Sequence, residues 1–168
     1  MTYAVPIGGC GRFRRRPSPT AYAIVDDADA EFVKTFNWWS TRAGYATCQY
    51  GYMHRLLLGL GHGGKDKRHV DHVNGCKMDN RRANLRVATA SQNLQNSRRM
   101  PGKSGVRGVS WYGPTGKWCA KVVVRHADGS KHTKSKYCDT KEEAAAAHLE
   151  LRRLHHPFSP EARGELRP

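Results

Sequence analysis

The sequence predicts an α+β chain built as two small folded parts rather than around one large core. Three observations lead there. The 168 residues are only 38% apolar and the mean hydropathy is −0.74, too little apolar material for one broad interior. Residues 68–99 read as strand, turn, strand and helix, whereas residues 106–156 read as three strands followed by one helix. Between them, Met100-Pro101-Gly102-Lys103-Ser104-Gly105 is punctuated by proline and glycine. The expected layout is a flexible basic arm over 1–20, a first domain over 21–99, a linker over 100–105, a second domain over 106–156 and a tail over 157–168.

Taken in order, the arm carries Arg14-Arg15-Arg16-Pro17-Ser18-Pro19, a run that favours loose chain. Tyr22 to Val25 is strand-like, and Asp26 or Asp27 can cap a short helix running through Phe32 and Val33. Trp38-Trp39-Ser40 and Tyr45 to Cys48 flank Arg42-Ala43-Gly44 as a hairpin, and Met53 to Leu60 reads as a short helix. The aromatic and leucine side chains of this stretch are expected in the core. A flexible basic loop, His62 to Lys67, follows. A strand then ends at Asp71-His72, Asn74-Gly75 turns the chain, Leu85 to Ala88 forms a second strand, and Thr89-x-x-Gln92 opens a helix in capping-box form.

In the second domain the strands are Gly108 to Trp111, Lys117 to Arg125 and Lys131 to Cys138, separated by Gly113-Pro114-Thr115-Gly116 and Ala127-Asp128-Gly129. Alternation along the middle strand puts Trp118, Ala120, Val122 and Val124 on one face and Cys119, Lys121, Val123 and Arg125 on the other. Thr140-x-x-Glu143 opens the helix over 140–156, whose Ala144, Ala147, His148, Leu151 and Leu154 are expected to cover the apolar face. The tail beyond Pro157 is expected to fray.

Charge narrows the function. Lys and Arg number 29 against 14 Asp and Glu, a formal charge of +15. Residues 1–100 hold 16 basic and 7 acidic side chains and residues 101–168 hold 13 and 7, so both halves suit a polyanion. Arginine is abundant, and its planar fork matches phosphate. Five cysteines, Cys10, Cys48, Cys76, Cys119 and Cys138, show no C-x-x-C spacing, so neither a zinc site nor a disulfide partner is expected. The longest apolar run, Leu56 to Leu60, is far too short for a membrane span, and no apolar signal segment is expected. A cytoplasmic location follows as the expectation.

Hydrolysis of a phosphodiester needs a base near neutral pH, for which histidine is suited, and a cation against the phosphate, which prefers oxygen ligands. Asp71, His72 and Asn93 supply a carboxylate, an imidazole and an amide. Neighbours in a regular strand point to opposite faces, so Asp71 and His72 share a site only where the strand ends or bends. The ordered set Asp71-His72, Asn84-Leu85-Arg86 and Ser91-Gln92-Asn93 resembles the HNH nucleases in their His-Asn-Asn variant. The resemblance covers roughly residues 22–98, with His54-Arg55-Leu56 and Val25-Asp26-Asp27 as lead-in. It implies a ββα-metal core of two antiparallel strands and a helix around one divalent ion, Mg²⁺ or another such as Mn²⁺. It further implies that His72 is the general base, that Asp71 and Asn93 hold the metal, and that Asn84 braces the loop orienting the base. Asn96, one turn beyond Asn93, stays open as the alternative ligand. His54 reads as a packed histidine or a phosphate contact, His69 as structural or a phosphate contact, and Asn80 as a turn residue.

The order Arg107-Gly108-Val109-Ser110-Trp111, then Gly116-Lys117-Trp118-Cys119-Ala120-Lys121, resembles the plant ethylene-response-factor type of DNA-binding domain. That resemblance implies double-stranded DNA as partner, with Arg107, Trp111, Lys121 and Arg125 at the contact and Trp118 in the packing. Lys121 stands where that family usually has Glu, and Val123 where it has Arg, so its target sequence does not carry over. In the first domain, Arg55, Arg81 and Arg82 are further candidates for DNA contact. Together the resemblances point to a homing-type endonuclease of phages or introns, with a homodimer left open. The rival readings are a non-catalytic DNA-binding regulator that keeps the nuclease fold, and an RNA-binding protein.

Overall fold

In the computed structural model, which describes residues 1–8, 21–61, 67–97, 102–126 and 128–165, the chain divides into two units, Met1–Ala90 and Ser91–Pro168. The first opens with strand β1 (Thr2–Ile7), paired antiparallel with β2 (Ala21–Asp26). Val5, Ile7, Ala23 and Val25 face the core, while Ala4, Pro6, Tyr22 and Ile24 face solvent. This corrects the expected loose arm over its residues 1–8, the rest of 1–20 lying outside the described residues. Its first residues alternate as a strand, a pattern hidden by the Gly-, Arg- and Pro-rich stretch behind them. Arg14 to Arg16 lie outside the described residues.

A 3₁₀ turn (Asp27–Asp29) leads into α1 (Ala30–Lys34). Asp26 holds the N-cap position without capping; its Oδ2 accepts the Arg82 N–H at 2.8 Å instead. The Trp38 indole N–H donates to Val33 O at 2.8 Å and seats its ring in the core. Strands β3 (Trp39–Ser40), β4 (Ala46–Cys48) and β5 (Gly51–Tyr52) form an antiparallel meander, with the hairpin expected over 38–48 in place. Helix α2 (Met53–Leu57) stops earlier than expected, at Leu58 and the left-handed Gly59 (φ 66°). Strands β6 (His69–His72) and β7 (Leu85–Ala88) pair antiparallel, with Asp71 opposite Arg86 and His72 opposite Leu85. Ile7, Val25, Val33, Met53 and Leu85 fill the interior, each worth roughly 1.5–3 kcal/mol on burial.

Helix α3 (Ala90–Gln95) begins at the division, and its residues from Ser91 onward belong to the second unit. Gln95 O accepts from Arg152 at 2.7 Å, Gln95 Oε1 from the Phe158 N–H at 3.1 Å, and Ser97 O from Arg107 at 2.7 Å. The division therefore falls ahead of the 100–105 stretch. The described part of that stretch is folded: Gly105 N–H donates to Gly102 O at 2.9 Å, and Ser104 Oγ donates to Val109 O at 2.7 Å.

Strands β8 (Val109–Tyr112), β9 (Lys117–Arg125) and β10 (Lys131–Cys138) form an antiparallel sheet in the order β10-β9-β8. Helix α4 (Lys141–His155) starts from a complete capping box between Thr140 and Glu143. Its Ala144 and Ala147 pack on Val109, Ala120 and Cys138. Leu154, expected on that face, is 68% exposed, because the buried stripe continues from His148 to Arg152 instead. Nor does the tail fray over its described part: Ser159 and Pro160 are fully buried, a 3₁₀ turn spans Glu161–Arg163, and Glu161 pairs with buried Arg152 at 2.8 Å. No helix among the described residues is long and apolar enough to cross a membrane.

Gly108 is the most constrained backbone position of the second unit. Its φ is +69°, and a Cβ there would collide with the His148 ring. Gly108→Ala should therefore destabilise this unit by about 2 kcal/mol or more, read as a lowered urea midpoint and lost amide protection in β8 and β9. An unchanged midpoint would show that the ring moves aside at no cost.

Candidate active site

The end of β6 brings Asp71 and His72 together, both buried. Beyond them the chain turns back through Asn74-Gly75, where Gly75 N–H donates to His72 O at 2.8 Å. The long connection to β7 is then held by side chains. Asn84 Oδ1 accepts the Asn74 N–H at 2.9 Å, and Asn84 Nδ2 donates to Asp79 O at 2.7 Å. Asn74 Nδ2 donates to Asp79 Oδ2 at 2.8 Å, and the Arg81 guanidinium grips the same carboxylate at 2.8 and 2.6 Å. Arg81 holds the Asp79 carboxyl below its ordinary pKa, the hydrogen bonds outweighing burial. Strand β2 pins the loop from behind: Ile24 N–H donates to Met78 O at 2.8 Å and Asn80 N–H to Ile24 O at 2.7 Å.

That bracing sets Asn80, which is wholly buried, against the imidazole: His72 Nε2 lies 3.3 Å from Asn80 Oδ1. An amide oxygen only accepts, so this contact puts the imidazole proton on Nε2 and the lone pair on Nδ1. Burial lowers the His72 pKa, opposed by Asn80, Asp71 and Asp79, each of which favours the charged ring. On the next strand Arg86 donates twice to one oxygen of Asp71, at 2.8 and 2.6 Å. His54, at the start of α2, packs edge-on against His72 with ring centroids 5.1 Å apart and stacks on Tyr52. Burial, with His72 and Arg55 adding, pushes the His54 pKa down to about 3. The result is a neutral imidazole beside a carboxylate, oriented by an amide and backed by a second neutral ring.

Asp71, His72 and Asn84 thus meet in the first unit, with Asn84 placed as a loop brace. Asn93 lies in the second unit, as does Asn96, which is buried there and accepts from Arg163 at 3.3 Å. Arg55 is buried, not presented at the surface; it donates to Gly61, Leu60 and Arg68 carbonyls. Arg81 and Arg82 are half exposed but committed to Asp79 and Asp29. Trp111 pairs across the sheet with Trp118, rings 5.4 Å apart, on the α4 side, so it does not share a face with Lys121 and Arg125. Asn80 as a contact of His72 was not expected from the sequence. The available signal was an asparagine directly after Asp79, where a solvated turn needs none.

Comparison with known families adds one finding: residues 52–95 match the HNH endonuclease family. No curated protein and no solved structure matches the chain.

His54, His72, His148 and His156 all have pKa values lowered by burial. Between their unfolded value near 6.5 and the lower folded values, the unfolded chain binds more protons, so stability rises with pH there and is lost on acidification. Urea midpoints should fall from pH 7 to pH 5, and His54→Gln should flatten part of that slope. A midpoint constant across this range would contradict the neutral buried rings.

Proposed function

We propose that the chain is a metal-dependent DNA endonuclease of the homing type found in phages and introns. In this reading a ββα-metal core cuts and the sheet-plus-helix unit, resembling ethylene-response-factor domains, aims it at double-stranded DNA. The observation that carries it is His72: buried, neutral, fixed by Asn80, and next to Asp71 inside the stretch that matches HNH endonucleases. Lys121 and Arg125, exposed on β9, are the second unit's candidates for DNA contact.

The donor set fits a hard divalent ion. Asp79, Asp29 and Asp71 are each paired with an arginine, Arg81, Arg82 and Arg86, and Asp71 is the carboxylate adjacent to His72 in the chain. Asp71 would hold Mg²⁺ or Mn²⁺ from this unit, and the family resemblance pairs it with the Asn93 amide. The ion, when bound, supplies positive charge against the scissile phosphate. The chain's own residues do the rest. His72 Nδ1 takes a proton from water as the water oxygen attacks phosphorus, and the opposite P–O bond breaks with its electron pair going to the leaving sugar oxygen, which takes a proton from solvent water. The imidazolium so formed is stabilised by Asp71 and Asp79, and the Nε2–H bond to Asn80 keeps the ring from turning.

Supercoiled plasmid should become nicked or linear with Mg²⁺ or Mn²⁺ and remain intact in excess EDTA. His72→Ala should slow cleavage on the order of 10²–10⁴-fold with DNA affinity nearly unchanged, measured by gel shift. Full-rate cleavage in EDTA would remove the metal from the mechanism. Folded protein that binds DNA and cuts none with either metal would instead identify a regulator retaining the nuclease fold.

A further inference from the structure

Lys77 stands on the loop that follows His72, and its side chain is exposed. It reaches across to the turn between β3 and β4, a segment far from it in sequence. Its Nζ donates to Ala43 O at 2.8 Å and lies 4.7 Å from the centre of the Tyr45 ring. The Tyr45 ring in turn lies 6.0 Å from the His72 ring. One aromatic ring thus separates the ammonium from the imidazole, and the Lys77 charge is felt at His72. The turn that receives Lys77 is itself well tied. Gly44 N–H donates to Thr41 O and Thr41 N–H to Tyr45 O, both at 2.8 Å, with Gly44 in the left-handed region at φ 82°. Arg42, the residue before Ala43, is exposed at the tip of this turn.

A comparison inside the same unit shows what is particular about Lys77. Lys34 also lies over a tyrosine, 5.0 Å from the centre of Tyr3, but Glu31 takes its ammonium at 2.6 Å. Arg81, Arg82 and Arg86 meet acids as well. Lys77 makes no ion pair among the described residues, and Arg42 makes neither an ion pair nor a side-chain hydrogen bond there. A carbonyl oxygen and a ring face orient an ammonium without cancelling its charge. Ala43 O uses one of the three ammonium donors, which leaves two. Part of the entropy cost of ordering this long side chain is therefore met before any ligand arrives.

We propose that Lys77 and Arg42 hold the phosphate backbone of the strand being cut, at phosphates flanking the scissile bond. The inference rests on the DNA-endonuclease reading, which supplies the anion and places His72 at the cut. Ala43 O and the Tyr45 ring aim Lys77, Arg42 adds the second charge at the turn tip, and the β3–β4 turn becomes a wall of the active site. A contact of this kind carries no sequence information; it sets the strand over His72.

The test is a gel shift of the full chain on a short duplex in EDTA over a series of salt concentrations. Lys77→Met and Arg42→Gln should each lower the slope of log K against log salt by about 0.9 and weaken binding about tenfold near 0.1 M salt. Lys34→Met should keep the wild-type slope. With Mg²⁺, cleavage positions are mapped first, and the flanking phosphates are then replaced by uncharged methylphosphonates. That duplex should bind the wild-type chain about tenfold more weakly and cost Lys77→Met nothing further. Arg42 makes no side-chain bond to lose, so its variant stays informative if Lys77→Met loosens the turn. Wild-type slopes in both variants would overturn the contact. Weaker binding by Lys77→Met at an unchanged slope would make Lys77 a tie between loop and turn only, and overturn its phosphate contact. Additive losses from the methylphosphonates and Lys77→Met would overturn its place beside the cut. The expected slope changes in a chain that cuts no DNA would keep the contact and overturn the endonuclease reading.

Discussion

Everything at the candidate active site depends on the side-chain amide of Asn84. Its two ends hold Asn74 N–H and Asp79 O, five residues apart on the loop that follows His72. A connection of this length has no regular ladder to satisfy its backbone, and a buried loop with unpaired polar groups is costly. Asn84 is suited to the task because one planar group offers an acceptor and a donor in fixed relation. Asp would lose the donor, and Leu would leave both backbone groups unpaired, at about 1–3 kcal/mol each.

The same constraint explains why a nuclease-like core of two short strands is accompanied by the β1–β2 sheet. Asn80 must be buried to reach His72, yet its neighbours Asp79 and Arg81 are charged. The exposed-side backbone of Ile24 resolves this by pairing with Met78 and Asn80 as one more strand would. Asp26 extends the contact to the Arg82 N–H, and Asp29 to its guanidinium. Ile24, Asp26 and Asp29, far from Asp71 in sequence, thus form the back wall of the loop that follows His72.

Legibility in the sequence followed the range of the interactions. The second unit's strands and helix were readable nearly to the residue, since alternation, turn glycines and the Thr140–Glu143 box are local signals. Asp71, His72 and Asn84 were singled out through the likeness of one short segment to the HNH order, and the structure brings the three into one unit. Asn80 was not, because its role comes from burial imposed by Ile24, distant in sequence, and the asparagine after Asp79 is only a faint local sign of that contact. Strand β1 was hidden by composition, and the buried Ser159 and Pro160 by their place near the chain end. Trp111 was assigned to the contact face by likeness, whereas register alone, opposite Trp118, puts it with the helix.

Net charge also proved a coarser guide than it first looks. Of the first unit's arginines, Arg55 is spent on carbonyls, and Arg81, Arg82 and Arg86 on Asp79, Asp29 and Asp71. These pairs organise the site; they are not a reserve for phosphate. A buried or half-buried arginine that surrenders its carboxylate to meet DNA leaves an uncompensated acid behind, a cost that a surface lysine never incurs. The cations able to meet a polyanion without that cost are those with no acid to abandon. On the described second unit Lys121 and Arg125 are among these, and they stand where β9 outruns β8. A strand longer than its neighbour is ordinarily a liability. Here His156 and Gly108 take up part of the edge, and the rest faces a cluster of positive charge.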